Sequence, residues 1–283
     1  MIQEVLPLAN PEKVHLAQEN LIAYHRIFAA VPGVTFVDEA HCTWNMTAGG
    51  EAPGNQILRA RFTPATADRE IDALVRRVGQ YGGHFDWTVF PSCQPDNLKQ
   101  RVEAYGRAGG PDGQWQLHGK IGGLGGTWML MDLADLPPQP QVPADFHIER
   151  VLDETMLETW RLASCHGFGG GPYRNFYTAY SRHGFSPEIA AQHYIGYLDK
   201  TPVTSGTLLL TPGMASIYNV STPTAYRRRG FGTALTWFMF DQARERGHRD
   251  AFVWSSALGR HVYQGVGFTV YDFAMREYQW RKR

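Results

Sequence analysis

Hydrophobic and polar positions follow two different periods in the second half of the chain. Alternation with a period of two, which is typical of half-buried strands, predicts strands at 146–151, 193–198, 203–210 and 215–222, with a short buried strand at 251–254. Apolar residues three or four apart predict helices at 153–164, 230–246 and 259–264, and Ser-Pro-Glu at 186–188 predicts the start of another. Residues 167–180 are expected to be a loop, and 268–278 an extended pair of strands. This order indicates a mixed, mostly antiparallel sheet with helices on both faces.

The first half of the chain shows a similar order of elements. Helices are predicted at 11–30, 67–81 and 96–105, and strands at 34–38, 41–46, 56–62, 86–90 and 127–133. From residue 56 onward the order strand, helix, strand, helix, strand matches the end of the second half. The residues themselves match little, so this order alone is weak evidence for a repeat.

Four prolines within residues 137–143 mark the clearest break in the chain. Such a run continues neither a helix nor a central strand. We therefore predict a proline-rich linker at 137–144 between two domains, 1–136 and 145–283, in an α/β (α+β) protein.

Charge and composition argue against several classes of function. The 283 residues carry 27 basic and 27 acidic side chains, and this zero net charge is unlike a nucleic-acid-binding protein. The cysteines Cys42, Cys93 and Cys165 stand far apart, without the spacing of zinc ligands, so no metal is expected. No apolar run is long enough to span a membrane, and the N-terminus lacks the order of a signal peptide. We expect a cytoplasmic monomer or homodimer with neither nucleic-acid nor membrane partners.

Residues 227–233 combine three arginines with the sequence Gly-Phe-Gly-Thr, between a predicted strand and a long predicted helix. Free amides and the dipole at a helix N-terminus attract anions, and Gly230 and Gly232 would let an anion come close. The segment therefore predicts a phosphate or pyrophosphate site, with a solvated basic turn as the alternative. It has neither the P-loop sequence nor the third glycine of a dinucleotide fold, which argues against kinases and dehydrogenases.

Three segments, in this order along the chain, resemble motifs of the GNAT acetyltransferase superfamily. Residues 196–203 are similar to its Gly-x5-Pro-Val hairpin, and 263–268 to its Tyr-x3-Gly-Phe ending. Between them, Arg227, Gly230 and Gly232 stand at the three defining positions of the family pattern [RQ]-x-x-G-x-[GA]. The resemblance covers about 145–280. It implies two GNAT-like domains in tandem, each a mixed, mostly antiparallel sheet flanked by helices.

The first half resembles a degenerate GNAT unit. Its segment 63–70, which follows the strand at 56–62, has neither the glycine pair nor the arginine triplet. The resemblance therefore implies that only the second half binds acetyl-CoA.

The resemblance also implies an acetyl-CoA-dependent N-acetyltransferase that acts on an amine of a small-molecule acceptor. Acetyl-CoA would be a cosubstrate: the turn amides would bind its pyrophosphate, and backbone groups at the end of the third strand its pantetheine arm. Tyr263 stands where family members carry a tyrosine that protonates the leaving thiolate, and Ser256 replaces a frequent asparagine. The implied cofactor-binding residues are Val220, Ser221, Thr222, Arg227, Arg228, Arg229, Gly230, Phe231, Gly232, Thr233 and Ser256.

No general base can be identified from the sequence. The strand at 215–222 carries no Asp or Glu where some relatives have one. It has Tyr218, Asn219 and Ser221 instead, which either hold a water or pair across the sheet. His166, His183 and His193 fall near the expected acceptor side, and the aromatic stretch 168–180 either walls an acceptor pocket or packs within its loop. A non-catalytic acyl-CoA-binding or scaffold protein with the same fold stays open as an alternative.

Overall fold

The computed structural model describes residues 6–48, 53–109, 115–120, 127–171 and 173–282. The chain forms two compact units. The N-terminal unit consists of Leu8–Gly126 together with Asp272–Arg283, and the C-terminal unit consists mainly of Thr127–Tyr271. Each unit contains its own sheet and its own helices.

The N-terminal unit is built on a six-stranded sheet. Its helices are α1 (Pro11–Ile27), α2 (Ala67–Val78) and α3 (Leu98–Arg107). Its strands are β1 (Val34–Asp38), β2 (Cys42–Thr47), β3 (Gln56–Ala60), β4 (His84–Val89), β5 (Trp115–Lys120) and, from the end of the chain, β13 (Arg276–Lys282). The strand order is β1-β2-β3-β4-β13-β5, and only the β3–β4 pair is parallel among these described strands.

The C-terminal unit is built on a seven-stranded sheet. Its helices are α4 (Glu154–Gly167), α5 (Arg174–His183), α6 (Phe231–Glu245) and α7 (Arg260–Gly265). Its strands are β6 (Thr127–Asp132), β7 (Phe146–Arg150), β8 (Ala191–Leu198), β9 (Thr201–Thr211), β10 (Met214–Ser221), β11 (Asp250–Ser255) and β12 (Thr269–Val270). The strand order is β12-β6-β11-β10-β9-β8-β7, and only β10 and β11 run parallel among the described pairs.

The compact units differ from the predicted domains 1–136 and 145–283. Strand β6 precedes the proline run, yet it pairs with β11 along its whole length and also with β12. Strand β13 ends the chain, yet it lies between β4 and β5. Four consecutive residues of β6 are buried, as in a central strand that needs neighbours on both edges. The prolines of 137–144 interrupt secondary structure, but they do not separate the two units.

Two local predictions in the second half were wrong. Residues 174–180, expected to be loop, belong to helix α5, because Phe176, Ala179 and Tyr180 share one buried helix face. Residues 186–190, where a helix was expected, form turns before β8. There the Gln192 side chain donates to the carbonyl of Pro187 at 2.7 Å, so this carbonyl has a partner without a helical hydrogen bond.

Helix α6 packs on the sheet through its apolar residues Leu235, Met239 and Phe240, which are fully buried. Its remaining apolar side is covered within the same unit. The Trp237 indole donates to the Pro137 carbonyl at 2.6 Å, and the Phe238 ring meets Tyr194 edge-on at 5.6 Å. The proline-rich segment therefore serves as a cover for α6, which explains why apolar residues occupy nearly all sides of this helix.

Candidate active site

The two parallel strands of the C-terminal sheet separate after a short paired stretch. β10 and β11 pair only at Ala215 with Ala251 and at Ser216 with Phe252, although both strands continue for several residues. Beyond Ser216, the β10 edge is therefore not paired with β11. Open strand edges present backbone donors and acceptors to an incoming extended ligand.

A β-bulge distorts β10 beside this gap. Tyr218 pairs with Thr207 and Ser221 pairs with Ser205, so Asn219 and Val220 together face a single residue of β9. Asn219 adopts a left-handed backbone conformation, with φ of 55°. Bulges re-aim backbone groups next to active sites, and this one lies where the pantetheine arm is expected.

The side chain of Asn219 holds the bulge to helix α5. Its Nδ2 donates to the Tyr180 hydroxyl at 2.9 Å, and Tyr180 is fully buried. The Tyr180 ring lies on the imidazole of His193, with centroids 3.9 Å apart, and meets Trp160 edge-on. The sequence marks Tyr180 only as one of several aromatic residues in the stretch 168–180. Its contact with the bulge arises from the packing of α5, which the sequence does not predict.

The hydroxyls of Ser221 and Thr222 are used inside the fold. Ser221 Oγ lies 3.1 Å from Ser205 Oγ, which lies 2.8 Å from Ser164 Oγ on α4. Thr204 Oγ1 donates to the Ser221 carbonyl and lies 3.1 Å from Thr222 Oγ1. These side chains fix the strand, so any contact of 220–222 with a ligand would come from backbone groups, as predicted.

The turn after β10 leads into the N-terminus of α6. Gly230 is its N-cap residue with φ of 84°, and a Cβ there would meet no atom within 4 Å. The first intrahelical bond runs from Ala234 N to Gly230 O, so the amides of Phe231, Gly232 and Thr233 precede the hydrogen-bonded part of the helix. No described side chain caps them. Three outward amides and the positive end of the helix dipole suit an anion.

The three predicted arginines have different surroundings. Arg227 is used structurally: its Nε donates to the Thr222 carbonyl at 2.9 Å and its Nη2 to the Gly167 carbonyl at 2.7 Å. The Arg229 guanidinium lies 5.0 Å from the centre of the Phe231 ring. Arg228 is exposed and has a left-handed backbone conformation, with φ of 59°. Arg227 thus ties the turn to the end of α4, while Arg228 and Arg229 supply positive charge next to the free amides.

Tyr263 and Ser256 come together around Gly259 at the start of α7. A Cβ at Gly259 would stand 3.0 Å from the Tyr263 ring and 3.5 Å from Ser256 Oγ, so this position accepts only glycine without movement. Ser256 Oγ accepts from the Gly259 amide at 3.2 Å, which fixes the turn before the short helix. Burial raises the pKa of Tyr263 to about 12, so its hydroxyl keeps its proton at neutral pH.

The predicted aromatic stretch forms a continuous series of rings. Phe168 stacks on Tyr173 at 5.8 Å, Tyr173 stacks on Phe176 at 5.1 Å, and Phe176 lies 6.0 Å from Tyr180. The series runs from the exposed Phe168 to the buried face of α5. Most of these aromatic side chains therefore pack against one another, which was one of the two interpretations of this stretch.

Two of the three predicted histidines face this buried region. His193 is 1% exposed; its Nδ1 lies 2.9 Å from Thr207 Oγ1, and its Nε2 has no partner among the described residues. Burial lowers the pKa of His193 to about 3 and also lowers that of His183. Both imidazoles are therefore neutral at physiological pH. His166 is exposed on the last turn of α4.

The equivalent gap in the N-terminal unit is filled by the chain itself. β3 and β4 also pair at only two positions, Gln56 with Asp86 and Ile57 with Trp87. Beyond them, Gln94 donates to the Ala60 carbonyl at 2.9 Å and accepts from the Phe62 amide at 3.0 Å. The open edge of β3 is thus satisfied by the loop after β4.

The helix N-terminus in the N-terminal unit is also unlike that of α6. The Thr63 hydroxyl accepts from the Thr66 amide at 3.2 Å, and Asp68 and Glu70 lie in the first turn of α2. Two carboxylates at a helix start repel a further anion. These contacts support the prediction that acetyl-CoA does not bind in this half.

One cluster in the N-terminal unit brings possible metal ligands together. Ligand atoms of Glu39, His41 and Cys42 lie within 4.8 Å of one another. Arg77 already forms an ion pair with Glu39 at 3.6 Å, and burial raises the pKa of the Cys42 thiol to about 11. This arrangement opposes a cation, and the expectation of no metal stays a prediction.

Separated parallel strands, a bulged edge and an uncapped helix N-terminus define an α/β fold of the acyltransferase class. Residues 157–268 match the sequence profile of the Acetyltransferase (GNAT) family. Residues 157–268 therefore form a GNAT domain, and the chain contains two GNAT folds in tandem. The predicted family and fold class are confirmed.

Solved structures with this fold extend over nearly the whole chain at low identity. A GCN5-related N-acetyltransferase from Kribbella flavida is 14% identical, with 93% of this chain and 95% of that chain covered and a TM-score of 0.63. A tandem GNAT protein from the clavulanic acid biosynthesis pathway is 16% identical, with coverage of 98% and 97% and a TM-score of 0.58. A GCN5-related N-acetyltransferase from Sphaerobacter thermophilus is 14% identical, with coverage of 100% and 96% and a TM-score of 0.52. No curated protein sequence is significantly similar to the chain. Among the described helices, none has the length and apolar character of a membrane span.

Proposed function

We propose that the protein is an acetyl-CoA-dependent N-acetyltransferase that acetylates an amine of a small-molecule acceptor in its C-terminal unit. The observation that carries this proposal is the open gap between β10 and β11, which leads to the three free amides of α6. Acetyl-CoA has an extended pantetheine arm, which would lie along the strand edge, and a pyrophosphate, which would bind at the helix N-terminus.

The chain has hydrogen-bond donors for the pyrophosphate, for the oxyanion and for the departing thiolate. The amides of 231–233, with Arg228 and Arg229 beside them, would hold the pyrophosphate. A backbone N–H of the bulge at Asn219 and Val220 would stabilise the oxyanion that forms when an amine attacks the thioester carbonyl. Tyr263, with its raised pKa, would give its proton to the departing sulfur, and the excess proton of the new amide nitrogen would return to the tyrosinate.

Calorimetry with acetyl-CoA, followed by a thiol-release assay over a panel of primary amines, tests the proposal. We expect one binding site per chain and turnover with at least one amine. Binding without turnover on any amine would favour the non-catalytic acyl-CoA-binding protein instead. Two equivalent sites would contradict the assignment of binding to the C-terminal unit alone.

The expected absence of metal, membrane and nucleic-acid partners, the monomer or homodimer, and the cytoplasmic location stay predictions. Activity that persists after extensive dialysis against EDTA would support the metal-free reaction. Size-exclusion chromatography with light scattering would determine the oligomeric state.

A further inference from the structure

The walls of the gap between β10 and β11 are aromatic on the face that carries α4 and α5. Ala215 and Ile217 belong to the core under α6, so Ser216 and Tyr218 point to the opposite face. Ser216 pairs with Phe252, and on β11 Ala251 and Val253 belong to the same core, so Phe252 and Trp254 also point to the opposite face. An acceptor that reaches the gap from this face passes between a phenol and an indole.

Trp254 is a supported platform with a free surface. Its ring stacks on Trp128 at 5.8 Å with planes 16° apart, and Trp128 stacks on Phe252 at 5.6 Å with planes 8° apart. Phe252 and Trp128 are buried, whereas Trp254 is 39% exposed. The inner side of the indole is therefore fixed by stacking, and its outer side can receive another flat ring.

The described strands and helices beside the gap supply few carboxylates for a cationic acceptor. Strands β8, β9 and β10 and helices α5 and α7 contain no Asp or Glu, and Asp250 lies at the end of β11 where pairing with β10 begins. On α4, Glu154 accepts from the Ser181 hydroxyl and Glu158 forms a bidentate pair with Arg161.

Side chains on α5 and β8 also disfavour a positive charge here. Arg174 and Arg182 on α5 are cationic, and the desolvated imidazoles of His183 and His193 are neutral. An alkylammonium would lose water without gaining a counter-charge, and no strong base would remove its proton. A weakly basic amine arrives already neutral, with its lone pair ready to attack.

We propose, on the basis of the N-acetyltransferase function above, that the acceptor is a weakly basic amine carried on a flat aromatic body, such as an arylamine. The ring stacks on Trp254, and the neutral nitrogen attacks the thioester carbon. The C–N bond forms and the C–S bond breaks. The thiolate takes the phenolic proton of Tyr263, and one N–H proton of the acceptor restores that phenol, so the products are an N-arylacetamide and CoA thiol.

Four matched acceptors test this inference in the full-length protein: aniline, benzylamine, cyclohexylamine and glucosamine, each with saturating acetyl-CoA and a no-enzyme blank. We expect aniline to have the highest kcat/KM at pH 7, with a rate that is flat between about pH 6 and 9. Alkylamine rates should instead rise about tenfold per pH unit, because only their unprotonated fraction attacks.

Two variants test whether the preference for aniline depends on the Trp254 indole. Trp254→Leu should raise KM for aniline about 3- to 10-fold while leaving the acetyl-CoA affinity unchanged, and Trp254→Phe should restore most of the loss. Equal or better use of benzylamine, cyclohexylamine or glucosamine at pH 7 would overturn the inference and leave the acetyltransferase function standing. An unchanged KM in Trp254→Leu would also overturn it. Binding of acetyl-CoA with no amine acetylated would refute both.

Discussion

The gap between β10 and β11 and the gap between β3 and β4 occupy equivalent places in the two units. Both pairs of parallel strands are joined at only two positions before they diverge. In the C-terminal unit the exposed edge leads to an uncapped helix behind Gly230. In the N-terminal unit Gln94 occupies the edge, and Thr63 and Thr66 bond at the start of α2.

This difference shows what a binding site in this fold requires beyond the fold itself. Separating two strands leaves backbone donors and acceptors that need partners. If the protein's own chain provides them, the gap becomes part of the core; if not, a ligand with amide groups can provide them. The two units therefore share an architecture but differ in which molecule completes it.

The largest expected effect concerns the strands that define the units. A fragment of residues 145–283 lacks β6, which supplies four buried residues between β11 and β12. At about 1.5–3 kcal/mol each, their loss is comparable to the whole stability of a domain. We expect 145–283 to be insoluble and 127–271 to fold, as judged by cooperative thermal unfolding. A folded, monomeric 145–283 would mean that the proline run is the true domain boundary.

The next largest effect is expected from a substitution at the N-terminus of α6, compared with the same substitution at a glycine outside the site. Gly230→Glu places a carboxylate at the anion site and should weaken acetyl-CoA binding at least about 100-fold, because charge-assisted bonds to the amides are lost. Gly247→Glu is the matched control: Gly247 lies beyond the C-terminal end of the same helix, has φ of 83° and is equally open. Similar thermal shifts with loss of calorimetric binding only in Gly230→Glu would support the site; equal loss in both would point to backbone strain.

Tyr263 should affect the reaction but not the binding of acetyl-CoA. Tyr263→Phe should lower kcat about 10² to 10⁴-fold through loss of the proton donor, with the acetyl-CoA Kd unchanged. Because burial raises the pKa of Tyr263 to about 12, the wild-type rate should show no loss from deprotonation of this group below about pH 10. Undiminished turnover in Tyr263→Phe would assign the proton to water and leave Tyr263 a structural role.

The smallest effect tests the support of the bulge from α5. Tyr180→Phe removes the acceptor of the Asn219 hydrogen bond, and we expect kcat to fall about 3- to 10-fold with unchanged acetyl-CoA affinity. Asn219→Gly keeps the left-handed backbone accessible while removing the same bond, so it should match Tyr180→Phe. If kcat is unchanged in both, the bulge is maintained by the strand pairing alone.

The sequence by itself determined the features that depend on residues close together in the chain. The turn at Arg227–Gly232 identified the family. Glycines between a strand and a helix leave the amides at the helix N-terminus open to an anion, and this effect depends only on residues that are close together in the chain. The position of Tyr263 on a short helix was predicted from the sequence for the same reason. The decay of the first-half motif at 63–70 also required no tertiary information.

Only the tertiary structure decided which strand joins which sheet and which side chains support the gap. The apolar pattern of β6 predicts a buried strand but not its partners, which are more than 100 residues away in β11 and β12. Gln94 fills its gap through backbone groups that every residue except proline possesses, so no side-chain signal marks it. Tyr180, Trp254 and Trp128 gain their roles from stacking between elements distant in the chain, and local sequence carries no information about such contacts.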